Sequence, residues 1–97
     1  MERRRYARKQ YTTSVDYVAS TKLYHGKIED ISSGGMLLEP QKELTPGVWL
    51  TLYFNLPGNI TSVKGRVVRT AAGGIGVEFL PAFQKVLAPL VDKLYWQ

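Results

Sequence analysis

The sequence predicts an all-β domain of six short antiparallel strands, a small barrel or sandwich, with one helix at its C-terminal end. Two observations carry the strands: apolar residues recur at every second position along 48–56, and Gly- and Pro-rich turn signals divide the chain at regular spacing. A third carries the helix, because only the last part of the chain steps its apolar residues by three and four. Ninety-seven residues suit a single core and leave no room for a second domain.

Residues 11–20 are rich in β-branched and aromatic types, and Val15, Tyr17 and Ala19 share one face. Residues 22–31 form a second strand with Tyr24, Gly26 and Ile28 on a face. The apolar register then shifts to Ile31, which calls for a bulge near Asp30. Residues 32–35 (SSGG) turn the chain, and residues 36–39 resume extended structure before Pro40. In residues 48–56, Val48, Leu50, Leu52, Phe54 and Leu56 face inward. Trp49, Thr51, Tyr53 and Asn55 then lie on the opposite face, where the terminal helix is expected to cover the two aromatics. After a turn at 57–59, residues 60–69 place Val63, Gly65 and Val67 on one face; after another at 71–74, residues 75–80 turn Ile75, Val77 and Phe79 inward. The core is therefore expected to include Val15, Tyr17, Leu50, Leu52, Phe54, Val63, Val67, Val77 and Phe79. The helix starts at about residue 82 and uses Phe83, Val86, Leu87, Leu90, Val91 and Leu94. Pro89 removes its hydrogen bond to Lys85, so a bend or restart is expected there.

Composition excludes several chemistries. With no cysteine, the chain has no disulfide, thiolate zinc site, iron–sulfur cluster or cysteine nucleophile, and its single histidine, His25, rules out any metal site needing two imidazoles. No apolar stretch reaches the roughly 18 residues of a membrane-spanning helix. No membrane insertion is expected, and the cytoplasm is the expected location. The net charge of +5 is uneven: residues 1–9 hold five basic side chains and one acidic, whereas the remaining 88 hold eight and seven. Residues 1–10 thus read as a basic arm and 11–97 as the domain. Such an arm suits an anion: a nucleic acid, an anionic lipid surface or a phosphorylated small molecule.

Enzyme signatures are missing: there is no phosphate-binding loop, zinc-protease helix, nucleophile elbow or dinucleotide fingerprint. His25 would need Asp16 or Glu29 to orient it as a base, and it reads as a partly exposed strand residue instead. Glu29 and Asp30 are adjacent, which on a regular strand puts them on opposite faces. No catalytic residue, metal ligand or cofactor is assigned.

The informative segments are Arg4-Arg5-Tyr6-Ala7-Arg8 and residues 30–35 (DISSGG). Arginine takes guanine O6 and N7, or two phosphate oxygens, with one planar fork, and that plane stacks on a base. A carboxylate such as Asp30 accepts from the guanine N1–H and amino group. Ser32 offers a hydroxyl to phosphate or backbone, and Gly35 lets the main chain approach closely. Taken singly, Asp30, Ser32 and the glycines are also what a tight turn uses. Together they match the groups of a guanine nucleotide.

Arg4 and Arg8 in RxxxR spacing, then 21 residues, then Asp30-x-Ser32-x-x-Gly35 resemble the PilZ domains, bacterial receptors for the second messenger cyclic diguanylate. The Gly65-Arg66-Val67-Val68-Arg69 strand and the Gly74-Ile75-Gly76-Val77-Glu78-Phe79 ending also look like that family. The resemblance implies a six-stranded antiparallel β-barrel flanked by a helix. It implies a non-catalytic receptor whose arginine arm clamps the ligand, with Arg3, Arg4, Arg8, Asp30, Ser32 and Gly35 as the binding residues, acting through a downstream protein partner; the five like charges near the chain end predict that the arm orders only on binding. Ala7 stands where many relatives carry proline. In such domains the residue before RxxxR, here Arg3, influences stoichiometry, and an arginine there favours an intercalated pair of ligands. Two other readings compete. A small barrel binding single-stranded nucleic acid through Tyr6, Tyr11 and the arm is disfavoured by the neutral body, and a ligand-free adaptor is disfavoured by the retained arginines.

Overall fold

A computed structural model describes residues 9–56, 59–71 and 74–95, with residues 9–12, 59–60, 71 and 93–95 described by backbone alone. The strands are β1 (Lys9–Ala19), β2 (Lys22–Ile31), β3 (Gly35–Glu39), β4 (Trp49–Leu56), β5 (Asn59–Ala71) and β6 (Gly74–Phe79), and the helix after them is α1 (Pro81–Tyr95). The strands pair antiparallel in the order β1-β2-β3-β6-β5-β4, and β4 pairs back onto β1 to close a barrel. A sandwich is thereby excluded. Residues 15–19 of β1 lie opposite 54–50 of β4, so the strand that starts the barrel is held from both sides.

Alternation carries the core. All nine expected core residues are buried, joined by Ile28, Ile31, Met36, Leu38, Leu56 and Ile75. The expected bulge is present: the β2–β3 register slips between Ile28 and Asp30, so that Ile28 and Ile31, three apart, both point inward. One expectation fails for the same reason. Glu29 and Asp30 are both half-buried and are not split between inner and outer faces, because the extra residue interrupts the two-residue period. β1 also begins two residues earlier than its pattern suggests, since Lys9 and Gln10 pair with Ile31 and Asp30.

Each end of the barrel has its own lid. Helix α1 contacts β1 and β4 and places Leu87 and Val91 in the core, with Phe83 and Leu90 partly buried against it. Its start is satisfied locally: the Leu80 carbonyl accepts from the Phe83 and Gln84 N–H groups at 2.9 and 3.1 Å, and the Gln84 Nε2 donates to the Phe79 carbonyl at 2.8 Å. Two expectations about the helix are corrected. It leaves Trp49 and Tyr53 exposed, because its apolar stripe packs on the core rather than on the outer face of β4. It also runs through Pro89 as one element without restarting; Pro89 and Lys85 are exposed, so the Lys85 carbonyl that loses its partner can be hydrated.

At the other end, residues 40–48 fold over the opening, with Leu44 and Val48 packed on the core. Gly47, at φ +97°, makes the turn that lets its N–H reach the Val67 carbonyl at 2.7 Å, while the Val67 N–H donates to the Val48 carbonyl at 2.9 Å. Tyr17 anchors this lid from within. Fully buried and stacked on Tyr24 at 5.4 Å between centroids, its hydroxyl accepts from the backbone N–H of Gln41 at 3.1 Å and of Lys42 at 3.5 Å. Tyr17→Phe keeps the packing and removes that acceptor, so it is expected to lower the urea midpoint by the equivalent of about 1 kcal/mol with an unchanged slope. Faster hydrogen exchange at the Gln41 amide should accompany the loss.

Candidate functional site

β2 and β3 are joined by a turn that satisfies its own polar groups. The Ser32 N–H donates to the Gly35 carbonyl at 2.8 Å, and the Ser32 hydroxyl accepts from the Gly34 N–H at 3.2 Å and donates to the Gly35 carbonyl at 3.4 Å. Ser32 is only 4% exposed. Its hydroxyl is thus engaged in holding the turn, as short hydroxyl side chains commonly are. The Gly34 carbonyl accepts from the Phe79 N–H at 2.9 Å, which ties the turn to the end of β6. Gly35 lies opposite Glu78, so close to β6 that a Cβ would collide with the Val77 carbonyl oxygen. Only glycine fits there without moving a strand.

Asp30 is half-buried just upstream of the turn, on the bulged segment of β2. Across from it on β1 is Gln10, and across from Ile31 is Lys9. β1 therefore begins beside Asp30 and the 32–35 turn. Arg3, Arg4 and Arg8 lie outside the described residues. The structure thus brings together Asp30, Ser32, Gly35 and the root of the arm.

The other candidate pair sits elsewhere. His25 Nδ1 is 2.6 Å from Asp16 Oδ1, and the His25 backbone N–H donates to Gln41 Oε1 at 2.8 Å. Asp16, rather than Glu29, is the carboxylate that meets the imidazole, because the β1–β2 register sets those two residues opposite. Both are well exposed on the outer face, and no group of three metal-ligating side chains occurs among the described residues. Sequence reasoning missed one contact, the Arg66 guanidinium 5.7 Å from the Trp49 ring centroid. Only the β4–β5 register reveals it, since it pairs Trp49 with Arg66.

Substitutions separate the two parts of the turn. Gly35→Ala forces β3 away from β6 and is expected to cost about 2–4 kcal/mol in urea unfolding, whereas Ser32→Ala loses local hydrogen bonds worth about 1–2 kcal/mol.

Over residues 2–95 the chain matches the family model described as PilZ domain. Among solved structures it resembles the crystal structure of the PilZ domain of CeSA from a cellulose-synthesizing bacterium. The TM-score is 0.67 at 19% identity, covering 89% of this chain and 96% of that one. At that identity the likeness establishes the fold, a closed six-stranded antiparallel barrel with one C-terminal helix. No curated protein matches the chain significantly. Since the family match takes in the arginine arm, the 30–35 segment and the whole barrel, the chain belongs to the PilZ domain family.

Proposed function

We propose that this chain is a non-catalytic receptor for cyclic diguanylate, in which the arginine arm clamps the ligand against the end of β2. PilZ domains are generally receptors for this messenger. The observation that carries the assignment to these residues is the pairing of Lys9 with Ile31 and Gln10 with Asp30, which roots the arm beside the carboxylate. Arg4 and Arg8 supply bidentate contacts to guanine edges and phosphates, and Asp30 accepts from the guanine N1–H and amino group. Ser32 and Gly35 complete the site as its platform: one holds the turn, the other lets the main chain lie close to β6. Arg3 is assigned to an outer guanine of an intercalated ligand pair. Binding orders the arm ahead of Lys9, which is already paired in β1, and this limits net affinity because each ordered residue costs about 1–2 kcal/mol in backbone entropy.

Isothermal titration with cyclic diguanylate, beside GTP and cyclic diadenylate, tests the assignment. Arg4→Ala, Arg8→Ala and Asp30→Ala should each weaken binding by about 1–3 kcal/mol, while Lys42→Ala, at the other end of the barrel, should not. Wild-type binding by all three would refute the clamp, and competition by poly-dT at comparable affinity would favour the nucleic-acid alternative. The calorimetric ratio should be two ligands per chain, falling toward one in Arg3→Leu. Amide relaxation of residues 2–8 should change between the free and bound forms, while Lys9, paired in β1, serves as the internal reference.

A further inference from the structure

The outer face of β1, β4 and β5 carries a second surface, apart from the arm. The registers set Leu23 opposite Val18, Val18 opposite Thr51, Thr51 opposite Lys64, Trp49 opposite Arg66 and Asp16 opposite Tyr53. Leu23, Trp49 and Tyr53 are 58, 54 and 44% exposed. Clustered apolar side chains on the outside of a barrel whose core is already filled gain nothing from folding, and such patches mark contact with a partner. Beside Trp49 lies a hollow of about 420 Å³ lined by Val18, Ser20, Trp49, Leu50, Thr51 and Lys64. Its walls are apolar on the Val18 and Trp49 sides and cationic at Lys64.

Charge decides the occupant. Asp16 is hydrogen-bonded to His25 at 2.6 Å and Glu78 lies 3.9 Å from Arg66, so both carboxylates have a partner within the barrel. Lys64 makes no ion pair among the described residues, and Lys27, opposite Ser14, adds a further cation at the border. A second copy of the chain would bring the same cations together, because a two-fold contact pairs a surface with itself. An acidic partner meets no such penalty. Arg66, held over Trp49 and beside Glu78, offers a planar fork at the edge of the hollow to a further carboxylate.

We propose that this face docks an acidic amphipathic segment of a partner protein, with an apolar side chain seated between Val18 and Trp49 and carboxylates against Lys64 and Arg66. The face stands on the flank of the barrel and begins at the end opposite the arm, since Trp49 opens β4 whereas Lys9 opens the antiparallel β1. It therefore does not depend on what fills the arm site, and both can be occupied at once.

The probe is a fluorescein-labelled helical peptide of about 18 residues, or five turns, with leucine along one face and glutamate on both flanks, compared with the same peptide carrying lysine for glutamate. In titrations of isotopically labelled protein, the acidic peptide should shift the Trp49 indole and the amides of Val18, Thr51 and Lys64, while the lysine peptide should not. Trp49→Ala and Lys64→Glu alter exposed side chains and should each weaken binding about fivefold or more, and added salt should weaken it further. The same variants should retain the cyclic diguanylate titration of the unaltered protein, which keeps a failure here distinct from a failure of the receptor reading. Several results would overturn the proposal. These are no shifts with peptide up to about 1 mM, equal shifts with the lysine peptide, shifts confined to another face, or a dimer in sedimentation that Trp49→Ala dissolves.

Discussion

Pairing of β1 with β4 is the contact on which the rest of the molecule depends. Residues 15–19 against 54–50 turn an open six-strand sheet into a barrel and remove both of its edges. The same pairing fixes β1 between β2 and β4, so Val15, Tyr17 and Ala19 face a core that Leu50, Leu52 and Phe54 share. Closure also leaves two open ends, and the chain covers each with a segment that leaves a nearby strand: α1 after β6, and residues 40–48 after β3. The start of β1 is set by β2 alone, since Lys9 and Gln10 pair with Ile31 and Asp30 there and the β4 pairing begins only at Val15.

Barrel closure also sets the boundary between the legible and the hidden parts of the fold. Period-two alternation reports which face of a strand is buried, and the nine expected core residues are all inside. It does not report the neighbour. The β3–β6 and β1–β4 pairings join strands far apart in the chain, so alternation alone leaves barrel and sandwich equivalent, and the barrel was legible only through the family resemblance. Features that depend on register were hidden for the same reason: the choice of Asp16 over Glu29 as the partner of His25, and the meeting of Trp49 with Arg66. The apolar step of α1 was readable, but its destination was not, because an amphipathic stripe does not specify which open surface it fills. The bulge was half legible. Ile28 and Ile31 announced it, yet its effect on Glu29 and Asp30 needed the pairing with Leu38 and Leu37.

The candidate site divides into a rigid half and a charged half. Ser32, Gly34 and Gly35 satisfy one another and tie to Phe79, so that half is preorganised in the folded chain. A turn with its donors and acceptors already paired has little to gain by rearranging around a ligand. The arginines of the motif, Arg3, Arg4 and Arg8, belong to the segment before the first paired strand. In the proposed receptor the ordering cost falls on that segment alone, the platform contributes affinity with no conformational penalty of its own, and motif residues that look alike in the sequence differ in kind, some shaping the surface and others reaching toward the ligand.

β1 links the arm site to the aromatic face, since it opens beside Asp30 and passes Asp16 and Val18 on its way to Ala19. Any energetic coupling between the two surfaces has this strand as its shortest route, and by linkage each ligand would alter the affinity of the other by the same factor. The register of β1 against β2 shifts between Gln10 and Thr13. Such a break separates the ladder at the arm's root from the closing ladder of residues 15–19, so the first residues can change pairing without dragging the closure with them. The closing ladder of residues 15–19 is therefore a separate run of pairs from the one at the arm's root.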